Sequence, residues 1–290
     1  MKDTQLQRRE ASRHGGIWSR FISGLIRRGR GHNSIQRSDC RVEEWPAAIY
    51  AIGDVHGCFE LLRTMERTIV EDAHSIEGEK WMVLLGDLID RGPQSANVID
   101  HVMSRPPDGF RRYCVAGNHE VMMLQFLEGA YQDGWLENGG YETLESYGID
   151  RRLLEVRRSK RGLVDLLASH LPDDHMEFIR ALPKSITLPD CVFVHSVSEE
   201  QPFDEYAYRH NAMMMKLGLD HQPAEHILAV HGHKMVEAPV LENNRLNVDT
   251  GAYLTGRLSA ARLRGANDIT VFEVRQPDQP AIDARLRDLS

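Results

Sequence analysis

The strongest constraint on the fold is a pattern that occurs three times: a short apolar segment ends at a glycine, a polar loop follows, and a segment with helical spacing comes next. The apolar segments are residues 47–52, 81–85 and 112–116. The helical segments are residues 59–71, 95–103 and 121–127, the first with Leu61, Leu62, Met65 and Ile69 on one face. Strands that alternate with helices are typical of an α/β fold, in which ligands bind at the carboxyl ends of strands. The pattern therefore predicts an α/β architecture with its functional site in these loops.

More strands are predicted in the second half of the chain. Short apolar segments occur at residues 191–194, 227–230 and 269–274, with a hairpin-like segment at 245–249. Between the two groups of strands lie a loop-rich stretch at 134–140 and an arginine-rich region around 150–180 that we predict to be helical.

The predicted strands are followed by residues of the types that can bind metal ions. The sequences at the five strand ends are Gly53-Asp54-Val55-His56-Gly57, Gly86-Asp87-Leu88-Ile89-Asp90-Arg91-Gly92, Gly117-Asn118-His119-Glu120, the single His195, and His231-Gly232-His233. One Gly-Asp-x-His segment alone is typical of a turn with a capping aspartate. The whole set in strand order instead indicates a metal site, and Asp, Asn and His without Cys suit Mn²⁺, Fe or Zn²⁺. The glycines let the backbone turn sharply beside the ligands.

Charge divides the chain into a basic head and an acidic body. Residues 1–45 carry ten Lys and Arg against five acids, whereas the whole chain has a net charge of −8. We therefore expect residues 1–45 to form a basic extension that is partly ordered and docks on its own domain, or is frayed. The alternative is an amphipathic helix, with its apolar stripe at residues 17–26, that contacts an anionic membrane surface or a partner protein through residues 17–30. The acidic body argues against nucleic acid as a partner.

The chain contains no apolar run as long as the 18 to 20 residues that a membrane span needs. The four cysteines are far apart, which argues against a disulfide scaffold and fits a cytoplasmic protein, with peripheral membrane contact through the head as an option.

These motifs resemble those of the calcineurin-like metallophosphoesterases of the phosphoprotein phosphatase type. The similarity is closest to the bacterial serine/threonine protein phosphatase-like branch, extends to the diadenosine tetraphosphatases, and runs from about residue 47 to residue 274. It implies a central β-sandwich of mixed sheets flanked by helices in four layers, with the active site at the carboxyl ends of the strands. The catalytic domain would span residues 46–276, and residues 277–290 would be a flexible tail.

The resemblance also implies a site with two divalent metal ions, for which Mn²⁺ is expected and Fe or Zn²⁺ are alternatives. Position by position, the implied metal ligands are Asp54 and His56 on one ion, Asn118, His195 and His233 on the other, and Asp87 between the two. His231 could replace His233 as a ligand. A hydroxide that bridges the ions would attack the phosphorus.

The implied proton donor to the leaving group is His119, with Asp90 orienting its ring. Arg91 and Arg209 would bind the phosphate, although Asp90 and Arg91 could instead form a surface salt bridge. Glu120 is expected to cap a helix or support the ligands rather than bind metal.

The sequence leaves three functions open. The first is a phosphomonoesterase that acts on phosphorylated protein or on small phosphate esters. The second is a dinucleoside polyphosphate hydrolase, although those enzymes more usually carry glutamine in place of His56. The third is a weakly active metal-binding scaffold, which would not need the Asp90–His119 pair.

Overall fold

The computed structural model describes residues 38–128, 134–152, 160–198 and 213–276. The short helix considered at residues 17–26, the contact range 17–30, the tail 277–290 and Arg209 lie outside the described residues.

Eleven strands are described, and they form two mixed sheets. In chain order the strands are β1 Asp39–Arg41, β2 Ala48–Ile52, β3 Lys80–Leu84, β4 Phe110–Cys114, β5 Ser185–Thr187, β6 Cys191–Val194, β7 Leu228–His231, β8 Val240–Glu242, β9 Arg245–Asn247, β10 Arg257–Leu263 and β11 Ile269–Arg275. The first sheet has the order β11-β10-β2-β3-β4 and the second has the order β1-β5-β6-β7-β9-β8. Strands β2, β3 and β4 are parallel, as are β6, β7 and β9. Within each of these two groups, the loops that follow the strands therefore lie at the same edge of the sheet.

The core has two parts because successive side chains of β2 point to opposite faces of the sheet. Ile49 and Ala51 pack in one cluster with residues of the second sheet, Phe193 among them. Tyr50 and Ile52 belong to another cluster that contains the helices. Burial on both faces explains the continuous apolar run of this strand. The predicted sandwich of mixed sheets flanked by helices is confirmed.

The helices cover the outer face of the first sheet and position the site. In chain order they are α1 Phe59–Asp72, α2 Ser95–Met103, α3 Asn118–Leu127, α4 Tyr141–Ser146, α5 Lys160–His170, α6 Asp173–Ala181 and α7 Ala252–Thr255. A π-helical turn over Leu136–Gly140 leads into α4. The buried face of α1 consists of the four residues that its spacing predicts. No helix in the described ranges is long and apolar enough to cross a membrane.

The structure differs from the sequence prediction at several strands, of which β5 and β8 were not predicted at all. Strand β4 ends before residue 116 because the amide of Ala116 bonds to the carbonyl of Pro183 and leaves the ladder. Strand β10 was not predicted, since Arg257 and Arg262 break its apolar pattern. Residues 39–41 were assigned to the basic extension, yet they pair in parallel with β5. The extension boundary at residue 45 is therefore too late by at least these residues.

Candidate active site

The loops after the parallel strands bring the predicted site residues to one edge of the sandwich. The residues from the first sheet follow β2, β3 and β4, and His195 and His233 follow β6 and β7. Seven of them are at most 4% exposed: Asp54, His56, Asp87, Asp90, Asn118, His119 and His195.

Asp87 lies at the centre of the site. Its Oδ2 atom is 3.4 Å from His195 Nε2, 3.5 Å from His56 Nε2 and 3.9 Å from His119 Nε2. It is shared by two groups whose ligand atoms lie within 4.8 Å of one another, one with His56 and His119 and one with His195 and His233. This carboxylate is therefore placed where one ligand could serve two cations.

His56 and His195 present lone pairs to the site. The Nδ1 atom of His56 donates to the carbonyl of Ile89 at 2.9 Å, and Nδ1 of His195 donates to the carbonyl of Leu85 at 2.8 Å. Burial lowers the pKa of His56 to about 3 and also lowers the pKa of His195. Both rings are therefore neutral with Nε2 unprotonated, which is the form that binds metal.

Acceptor atoms converge around His195. Its Nε2 atom lies 2.9 Å from Oδ1 of Asn118 and 2.8 Å from Nδ1 of His233, in addition to the nearby carboxylate of Asp87. Because the proton of the His195 ring is on Nδ1, the lone pair of Nε2 faces Asn118 Oδ1, which is also an acceptor. The two atoms therefore cannot form a hydrogen bond with each other. A cation would bind all of these atoms at once. The donor set therefore fits a divalent metal of the kind that nitrogen and oxygen ligands hold.

The buried negative charge of the site supports the same interpretation. Burial, together with the carboxylates of Asp249 and Asp87, raises the pKa of Asp54. Burial also raises the pKa of Asp249 to about 6. Burial opposes ionisation of Asp87 as well, but the charge of neighbouring histidines, His119 among them, outweighs it and lowers its pKa. Such a cluster is stabilised by bound cations.

Asp90 and His119 form a close pair beside this cluster. The Nδ1 atom of His119 donates to Oδ2 of Asp90 at 2.6 Å, and both side chains are at most 1% exposed. Burial lowers the pKa of His119, but the carboxylate of Asp87 and the hydrogen bond to Asp90 outweigh it, so that the pKa is raised overall. Protonation of this ring is therefore more favourable than that of a free imidazole. The alternative of a surface salt bridge between Asp90 and Arg91 does not match this burial.

Arg91 lies at the mouth of the site. Its Nη1 atom is 3.2 Å from His56 Nε2, and its guanidinium lies over the ring of Tyr253 at 4.7 Å. The backbone amide of Arg91 donates to the carbonyl of Gly139 at 3.2 Å. The planar guanidinium is thus held half-buried next to the proposed metal ligands, where it can bind phosphate oxygens.

Backbone strain is concentrated in the site. Seven described non-glycine residues have positive φ, and two of them, Asn243 and Asn244, form the turn between β8 and β9. The other five are His56 (φ 44°), Asp87 (47°), Asp90 (73°), Arg91 (69°) and His233 (68°). Such conformations cost about 1–3 kcal/mol each and persist where the surroundings impose them.

Some functional residues were missed or underestimated from the sequence. Glu120 accepts hydrogen bonds from the backbone amides of Gly117, Asp87, Leu88 and Ile89 at 2.8 to 3.3 Å. It therefore ties two loops together, as its expected supporting role suggests. Trp135 and Thr143 both bond to Asp90 and had no predicted role. His231 bonds to the carbonyl of Gly232 and is absent from the two described metal groups. Asp54 is absent from them as well, and both oxygens of its carboxylate accept from the backbone amide of His233 at 3.1 Å.

Gly117 packs directly against Asp87. A Cβ atom at Gly117 would overlap Oδ1 and the amide of Asp87. Its φ of −95° is open to alanine, so that the conflict is steric alone. We expect Gly117→Ala to lower the free energy of unfolding by about 1–3 kcal/mol and to abolish most metal-dependent turnover, because Asp87 must move.

Chemical denaturation and metal titration check this expectation. Gly134→Ala is the matched control, since its Cβ would meet only Asn138 Nδ2 at an ordinary 3.6 Å. Equal behaviour of the two variants would show that Asp87 tolerates displacement.

Comparisons with known proteins agree with this geometry. A family profile described as calcineurin-like phosphoesterase matches residues 47–249. Serine/threonine-protein phosphatase 2 of Salmonella typhimurium is 23% identical over 231 residues, which cover 74% of this chain and 93% of that protein. An asymmetrical bis(5'-nucleosyl)-tetraphosphatase PrpE of Anoxybacillus flavithermus is 26% identical over 243 residues, which cover 76% of this chain and 92% of that protein. A solved structure described as a candidate diadenosine tetraphosphatase aligns with a TM-score of 0.52 at 18% identity. The alignment covers 83% of this chain and 98% of the chain in that structure.

Proposed function

The chain belongs to the calcineurin-like phosphoesterase family, and from that premise we propose that it is a two-metal phosphomonoesterase acting on phosphorylated serine or threonine in protein, or on small phosphate esters. The single observation that carries the proposal is the position of Asp87, which is within 3.5 Å of a histidine Nε2 from each of the two metal groups.

Six residues would hold the metals. Asp54 and His56 would bind one ion, Asn118, His195 and His233 would bind the other, and Asp87 would bind both. When bound, two divalent cations act as Lewis acids and lower the pKa of water towards neutrality. We propose Mn²⁺ as the metal because the ligands are nitrogen and oxygen atoms without a thiolate, with Fe or Zn²⁺ as alternatives.

The remaining residues act on the substrate. Arg91 binds two oxygens of the phosphate through its planar guanidinium, which Tyr253 holds in place. His119 holds a proton on Nε2 and donates it to the leaving alkoxide, while Asp90 fixes the ring through Nδ1. Arg209 is a further candidate for phosphate binding and lies outside the described residues.

Dinucleoside polyphosphates are the second candidate substrate. Relatives named as bis(5'-nucleosyl)-tetraphosphatases align over 92% of their own length, as extensively as the phosphatase relative does. His56 favours the phosphomonoesterase, since the tetraphosphatase branch more usually has glutamine there. The buried Asp90–His119 pair argues against an inactive scaffold, because a scaffold has no need of a proton donor.

The 290-residue chain is expected to hydrolyse p-nitrophenyl phosphate when Mn²⁺ is added and to lose this activity in EDTA. The measurement is p-nitrophenolate release across a panel of divalent metals. Phosphoserine peptides and diadenosine tetraphosphate are then compared under the same metal conditions. Absence of turnover with every metal would contradict the phosphoesterase proposal, whereas turnover of the dinucleotide alone would select the second candidate.

A further inference from the structure

The carboxylate of Asp90 is held by more than its histidine partner. Its Oδ2 atom accepts a hydrogen bond from Trp135 Nε1 at 2.8 Å as well as the bond from His119 Nδ1. Its Oδ1 atom accepts from the hydroxyl of Thr143 at 2.6 Å. Asp90 is 0% exposed, so that no water contact replaces these donors. Three side-chain donors therefore fix both oxygens: His119 from α3, and Trp135 and Thr143 from the helical stretch 134–146 that runs through the π-helical turn into α4.

The backbone of Asp90 is held as well. Its φ of 73° is in the left-handed region that a residue with a side chain rarely adopts. The backbone amide of Asp90 donates to the hydroxyls of Thr143 at 2.8 Å and Ser95 at 3.0 Å. Thr143 therefore contacts Asp90 at both ends, and its hydroxyl links the strained backbone to the carboxylate. A strained residue that its neighbours hold this closely is a candidate for a functional role.

The two donors are each anchored to a different helix. The ring of Trp135 packs against Phe126 of α3, the helix that carries His119, with ring centroids 4.9 Å apart. Thr143 is in α4, which is joined to α2 by a hydrogen bond from the amide of Ala96 to the hydroxyl of Ser146 at 3.0 Å. Movement of either support would rotate the Asp90 carboxylate away from His119.

We infer that Trp135 and Thr143 are positioning residues for the reaction: they hold the Asp90 carboxylate in the one orientation that directs a lone pair of Oδ2 at His119 Nδ1. The ring of His119 is then fixed with Nε2 towards the centre of the site, 3.9 Å from Asp87 Oδ2. This inference rests on the proposed phosphomonoesterase function and adds two residues to its proton-donating apparatus.

The test compares two substrates that differ in their need for a proton. Phenyl phosphate has a poor leaving group, whereas p-nitrophenyl phosphate has a good one that leaves with little help from an acid. Trp135→Phe keeps the aromatic packing and removes the donor, and Thr143→Val keeps the shape and removes the hydroxyl. We expect each variant to lower kcat on phenyl phosphate about tenfold, the effect of one hydrogen bond to a charged group, with KM and kcat on p-nitrophenyl phosphate nearly unchanged.

Trp81→Phe is the matched control. Trp81 is 5% exposed and its Nε1 atom also donates to a carboxylate, that of Glu79 at 2.8 Å. It lies near the amino end of β3, at the opposite end from the site. We expect this variant to have the wild-type ratio of rates on the two substrates. Equal losses on both substrates in Trp135→Phe and Thr143→Val would overturn the inference and indicate a structural role.

A spectroscopic measurement does not depend on turnover. The ring proton shared by His119 and Asp90 is identified in the NMR spectrum as the downfield imidazole resonance that is absent from His119→Asn. We expect this resonance to shift in Trp135→Phe and Thr143→Val but not in Trp81→Phe. An unchanged resonance in both variants would overturn the inference. If the wild-type protein hydrolyses neither substrate, the proposed function fails, while the resonance still shows whether Trp135 and Thr143 position the pair.

Discussion

Replacing His119 with asparagine is expected to lower kcat on phenyl phosphate by ~10²–10⁴-fold, the usual contribution of general acid catalysis. The loss on p-nitrophenyl phosphate should be much smaller, because its leaving group is stable as an anion. Asparagine retains a polar side chain at this position but has no ring nitrogen that can hold a proton. Steady-state kinetics on both substrates and metal analysis of the purified variant measure the effect.

His175→Asn is the matched control for this prediction. His175 is 5% exposed, and its ring bonds to Tyr147 and to Asp100 at 2.9 and 3.0 Å, so that it resembles His119 in burial and in having an acidic partner. It lies in α6 and outside both metal groups. We expect its removal to affect stability but not the ratio of rates on the two substrates. Equal rate losses on the two substrates in His119→Asn would remove His119 from the role of proton donor.

Replacing Asp87 with asparagine is expected to lower turnover by more than about 100-fold on every substrate and to weaken metal binding. Loss of a residue that only supports metal ligands costs about 10–100-fold, and Asp87 is proposed to bind both ions itself. The amide keeps the size of the side chain and removes its negative charge. Turnover is measured over a range of Mn²⁺ concentrations, and bound metal is measured by elemental analysis.

Asp100→Asn controls for the loss of one carboxylate charge. Asp100 also lies near a histidine Nε2, that of His175 at 3.0 Å, but its side chain is 71% exposed. We expect wild-type metal content in this control. Two bound ions in Asp87→Asn at the wild-type Mn²⁺ affinity would refute the shared-ligand role of Asp87 and, with it, the proposed arrangement of the site.

Much of the fold was predictable because the central strands are buried on both faces. Residues 48–52 form a continuous apolar segment, and α2 at 95–103 has the predicted bounds. Strand β10 was missed because Arg262 reaches out of the strand to bond both oxygens of Asp72, a partner 190 residues away that no local pattern reveals. Strand β1 was missed because three residues of alternating exposure carry almost no periodic signal.

Some residues of the candidate site could likewise be identified from local sequence, whereas others could not. The residues that share a loop with a glycine, such as Asp54 and Asn118, were identifiable because motif, spacing and strand context agree. Trp135 and Thr143 were not, since their roles depend on a fold that brings them within hydrogen-bond distance of Asp90, 45 and 53 positions away in the chain. Local sequence reports which atoms are available, and tertiary structure decides which of them meet.

The four amide bonds to Glu120 have a consequence for the cooperativity of the site. The carboxyl group of Glu120 joins the loop after β3 to the loop after β4, so that movement of one loop is coupled to movement of the other. Opening of one loop alone would break the bonds between the two loops and leave the buried carboxyl group of Glu120 without some of its donors, which disfavours separate opening of either loop. The loops after β3 and β4 thus form one cooperative unit, and we expect them to become ordered or to unfold together.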